Sequence, residues 1–75
     1  MAEISEIAEI VEKIMKNSSN EIDRYLDLIP KSLDDFERVN RFQHKISECK
    51  GVIYACSKIN LDLGLNIDEE AILCG

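Results

Sequence analysis

The chain contains no tryptophan, and its four other aromatics are two tyrosines and two phenylalanines. Without large rings, a core has to be assembled mainly from Ile, Leu and Val. Long apolar runs are missing as well. The longest is Val52 to Cys56, far short of the roughly 20 residues that cross a bilayer, so a membrane span is excluded from the expectations. The opening stretch, MAEISEIAE, is acidic where a secretory leader would be basic, and the expectation is a cytoplasmic protein. Cysteine is present three times, an odd number that suits a reducing compartment better than a disulfide framework. Positive charge is short overall: nine Lys and Arg face fifteen Asp and Glu, for a net charge of −6. That balance argues against direct nucleic-acid binding and against an anionic membrane surface. Motifs that carry chemistry are lacking too, with no Gly-rich phosphate loop and no HExxH sequence.

What is present is 45% hydrophobic residues in a chain of 75, enough for a folded core but only for one domain spanning 1–75. A domain this small buries only about 60% of its unfolded surface, so a partner chain is a natural source of further stability. Charge is distributed in blocks. Residues 1–37 carry −6, residues 38–58 carry +4 and residues 59–75 carry −4, a layout suited to elements that fold back on one another or to antiparallel copies.

The periodicity is helical throughout. Ile4, Ile7, Val11 and Ile14, in a stripe widened by Ala8, Ile10 and Met15, predict a first helix from Ile4 to about Lys16, supported by the i,i+4 pairs Glu9–Lys13 and Glu12–Lys16. The NSSN stretch at 17–20 reads as a break, with Ser18 and Glu21 in capping-box spacing. A second short helix is then expected from Ser19 to Leu28, presenting Ile22, Tyr25, Leu26 and Ile29 and stopped by Pro30. Ser32, followed by Asp34 and Asp35, is the expected cap of a long helix over 33–63, ended by Gly64. In that helix Val39, Phe42, Ile46, Cys49, Ile53, Cys56, Asn60 and Leu63 step alternately by three and four, a heptad a/d register, and Val52 and Ile59 broaden it toward the C-terminal half into a flank that two short helices cannot cover. The steps pass through Gly51 without a change of phase. A continuous helix is therefore expected there, despite the roughly 1 kcal/mol that glycine costs, with a kink or a close helix contact as the alternative. Asn66 or Asp68 would cap one last short turn.

His44 and the cysteines invite a metal or thiol site, and spacing removes it. Cys49 and Cys56 lie about 10.5 Å apart along a helix axis, too far for a disulfide or a shared zinc ion. His44 points about 140° away from Cys49, and Cys74 adds at best one more ligand. No cofactor and no catalytic or metal-binding residues are expected, and the cysteines read as small core hydrophobes.

The expected architecture is all-α: a helical hairpin or small bundle with one long C-terminal helix (about 33–63) and two shorter N-terminal helices, oligomeric through the a/d seam. Asn60 at an a position would fix register and partner number. Arg38, Arg41 and Lys45, with His44 alongside, form a strip that either pairs with the acidic first helix or holds an anion or an acidic partner. The expected function is a non-catalytic protein–protein interaction module whose partner is another protein, itself, or both, most simply as a homodimer. The alternatives are a small acidic inhibitor of a nucleic-acid-binding or defence enzyme, of the phage accessory type, and a helical sponge for a phosphate-bearing ligand.

Overall fold

A computed structural model describes residues 3–73 of the chain. It is all-helical, with α1 at Ile4–Leu28, a 3-10 turn at Pro30–Ser32, α2 at Phe36–Leu63 and a short α3 at Glu69–Leu73. The molecule is a rod of 49 × 21 × 17 Å with a radius of gyration of 14.7 Å. A compact chain of this length would have a radius near 11 Å.

The N-terminal half corrects the sequence reading. The two short helices are one helix of 25 residues, nearly as long as the 28 residues of α2, so the hairpin has two long arms. The NSSN stretch breaks nothing because the inward face is continuous across it. Ala8, Val11, Met15, Ser18, Ile22, Tyr25 and Ile29 step alternately by three and four, with Ser18 half-buried in that line while Asn17 and Asn20 face solvent. Packing along α1 outweighs the few tenths of a kcal/mol by which each Ser and Asn disfavours a helix. Of the expected stripe, Val11 and Met15 are buried and Ile7 and Ala8 half-buried, whereas Ile4, Ile10 and Ile14 are exposed by 62%, 59% and 41%.

Tyr25 ends the helical bonding by accepting from the Ile29 amide, and Pro30 stops the helix as expected. Helix α2 begins three residues later than predicted. Asp35, not Ser32, is its N-cap: the Asp35 carboxylate accepts from the Arg38 amide at 3.1 Å, while Ser32 is buried within the turn. The helix runs unbroken through Gly51, and a side chain at that position would meet nothing within 4 Å. The glycine therefore marks neither a kink nor a close contact. At the far end Gly64 takes a left-handed φ of 61°. The Leu65 amide donates to the Asn60 carbonyl at 3.0 Å and the Gly64 amide to the Leu61 carbonyl at 3.4 Å, a Schellman stop.

The core lies toward the tail end of the rod. Met15 is fully buried, with Val11, Cys56 and Leu65 around it, and Ile7, Ala8, Ile53, Ile67 and Ile72 pack against that cluster. Toward the turn, the Tyr25 and Phe42 rings stack at 5.5 Å and 33°. These pairings run in opposite directions along the two helices, so the arms are antiparallel. Asp68 accepts from the Ala71 amide at 3.2 Å and is the cap of α3.

Candidate interaction surface

The heptad face of α2 is directed inward, at α1. Ile46, Cys56 and Asn60 are buried within the chain, and Val39, Phe42, Cys49 and Ile53 are half-buried on the same face. Of the eight seam residues only Leu63 is largely exposed, at 52%. The seam expected to join copies is thus used inside one chain, because α1 is long enough to cover it.

Asn60 is fixed in the same way. Its amide nitrogen donates to the Ile67 carbonyl at 3.2 Å and to Glu69 at 2.7 Å, and its oxygen accepts from the Ile67 amide at 3.1 Å. Ser57 donates to the other oxygen of Glu69. The buried asparagine at the a position therefore latches the tail instead of setting a partner's register. The hydrogen bonds from Ser57 first, and then from Asn60, hold the Glu69 carboxyl below its ordinary range against the opposing effect of burial.

The two described cysteines are both free. Burial pushes both thiols up in pKa. At Cys49 the charges of Glu21 and Glu48 act in the same direction, with Lys45 opposing. The Cys49 thiol points at the Glu21 carboxylate at 4.0 Å. A thiol held protonated is the reverse of an activated nucleophile. Cys74 lies outside the described residues. Among the described residues no group of three His, Cys, Asp or Glu side chains is placed to share a metal ion. No described helix is long and apolar enough to cross a membrane.

The basic strip does not meet the acidic first helix. Arg38 pairs with Asp35 at 3.6 Å and Lys45 with Glu48 at 3.6 Å, both within one turn of α2. The other ion pairs among the described residues are equally local, Lys16–Glu12 at 3.4 Å and Lys31–Asp27 at 3.1 Å. All are solvent-exposed pairs, each worth about 0–1 kcal/mol. Nor is the strip gathered round a cavity. The depression beside it, about 160 Å³, is lined by Asn40, Gln43, His44 and Ser47, so only His44 of the strip contributes.

The widened side of the α2 stripe, expected from Val52 and Ile59, is part of an exposed flank of the hairpin. Glu21 against Cys49 and Tyr25 against Phe42 set which residues lie level across the arms. With 3.6 residues per turn, Ile10 and Ile14 of α1 then fall on the same side of the rod as Val52, Ile59 and Leu63 of α2. They are exposed by 59%, 41%, 41%, 40% and 52% in that order. Ser57, which donates to Glu69, faces the other side, so α3 lies against that side, where Tyr54 and Leu61 stay exposed by 66% and 82%. The signal in the sequence was Val52 and Ile59, which widen the a/d stripe on one side only. No family model, curated protein or solved structure matches this chain.

Proposed function

We propose that the protein is a non-catalytic protein–protein interaction module, a small adaptor, regulator or assembly part, that works through helix packing. The observation that carries this reading is the flank of Ile10, Ile14, Val52, Ile59 and Leu63. These are five large aliphatic side chains, each at least 40% exposed, in a chain whose heptad faces are already closed on each other. Taking Val, Ile and Leu at about 150–200 Å² each, they expose on the order of 400 Å², within the range where apolar patches on small proteins tend to be functional.

The acidic-inhibitor reading has less support. Lys13, Lys16 and Arg24 interrupt Glu9, Asp23 and Asp27 along the outer side of α1, which breaks up the row of negative charge that a basic groove would grip. The phosphate-sponge reading also has less support, because the depression beside the strip is lined by His44 and not by Arg38, Arg41 or Lys45.

Capture of bound proteins by tagged chains from the source cells separates these readings. The double substitution Val52→Glu and Ile59→Glu is expected to release whatever the native chain retains. Reversing charge on the outer side of α1 with Glu9→Lys and Asp23→Lys should leave it bound. If the native chain retains nothing, itself included, the interaction reading fails. Loss on charge reversal alone would favour the inhibitor.

A further inference from the structure

The flank has properties that select its occupant. Helix α1 carries six acids and three bases, a net of −3, and α2 carries five bases and three acids, a net of +2. The arms match in length, 25 and 28 residues, or about 37 and 42 Å at 1.5 Å per residue. Beside the apolar half of the flank, toward the turn, α1 presents Glu21 and α2 presents Arg41 and Lys45 on the same side.

We infer that the flank is closed by a second copy of this chain, in a four-helix bundle where α1 of each copy lies antiparallel on α2 of the other. This rests on the interaction reading above and gives its site a partner. Two arrangements bring two such flanks face to face about a two-fold axis. With the axis across the rod, α1 meets α1 and α2 meets α2, so helices of like net charge are apposed. With the axis along the rod, each helix of −3 meets one of +2, Ile10 comes level with Ile59 of the second copy, and Ile14 falls between Val52 and Ile59. Lys45 and Arg41 then lie over the α1 half that carries Glu21. Both arrangements keep neighbouring helices antiparallel, and charge selects the second. The area agrees. A standard interface buries about 800 Å² per partner, with roughly 56–65% of it apolar. An apolar centre of about 400 Å² with a rim of charged pairs is of that size.

Sedimentation equilibrium of the full chain at micromolar concentration tests the partner. A mass of twice 8.5 kDa is expected. Val52→Glu with Ile59→Glu should weaken association by at least about 100-fold with helicity unchanged. Isotope-filtered NOE spectra of mixed labelled and unlabelled protein test the arrangement. Contacts between copies are expected from Ile10 to Ile59 and from Ile14 to Val52. Contacts from Val52 to Val52 or from Ile59 to Ile59 would overturn the pairing of α1 with α2. A native chain that sediments as a folded monomer overturns the second copy as partner. If that monomer still captures another protein through the flank, the interaction reading survives, and if it captures nothing, both fail.

Discussion

At the scale of single residues, Gly51 and Met15 are opposite cases. Gly51 sits on the outer side of α2 with open space around it, so its effect is the conformational freedom it gives the unfolded chain. Gly51→Ala is expected to raise stability by about 1 kcal/mol, seen as a higher denaturant midpoint at unchanged slope. Among the described residues Met15 is the one large side chain with no exposure at all, at the junction of α1, α2 and the tail. Met15→Ala should lower stability by about 2–5 kcal/mol, which for so small a domain is a large part of the total. Urea titration followed by circular dichroism measures both. Cys56 packs beside Val11 and Leu65, and Cys49 lies alone against Glu21.

At the scale of elements, α2 was legible and α1 was not, for one physical reason. Continuity through Gly51 was judged by the phase of the apolar steps on either side, and that test is sound because packing fixes phase. The NSSN stretch was judged by its local capping chemistry. Ser18 and Glu21 do have the spacing of a cap, yet the step from Met15 through Ser18 to Ile22 keeps phase as strictly as the step through Gly51. A heptad pattern also tells which face is buried without telling what buries it. That is why the eight seam residues were recognised as a set and assigned to a second chain. The tail was the least legible part, because Asn60 finds its partners only after the chain reverses at Gly64 and Asn66 takes a left-handed φ of 60°.

The latch between Asn60 and Glu69 carries two predictions. Asn60→Ala leaves the Ile67 amide and carbonyl without their partner, and should cost about 1–3 kcal/mol with faster hydrogen exchange confined to residues 67–73. The Glu69 carboxyl is held below its ordinary range, so its contribution is present above the unfolded value of about 4.3 and is lost as pH falls through the lower folded value. Glu69→Gln should therefore weaken protection of the Ile67 amide at neutral pH. As pH falls through that lower folded value, the difference between variant and native chain should disappear.

At the scale of the whole molecule, the turn has a consequence of its own. Only the seven residues 29–35 separate two helices that together resemble the strands of a coiled coil. A short tether holds its two ends at an effective concentration on the order of millimolar, so closing the hairpin is a unimolecular event that dilution does not touch. In the proposed dimer, pairing of two hairpins would be a bimolecular event governed by mass action. Folding and assembly are thus separable in this chain. On dilution below the dissociation constant its mass should halve while its helical signal stays constant, and a cell could set the population of the pair by expression level without unfolding the protein.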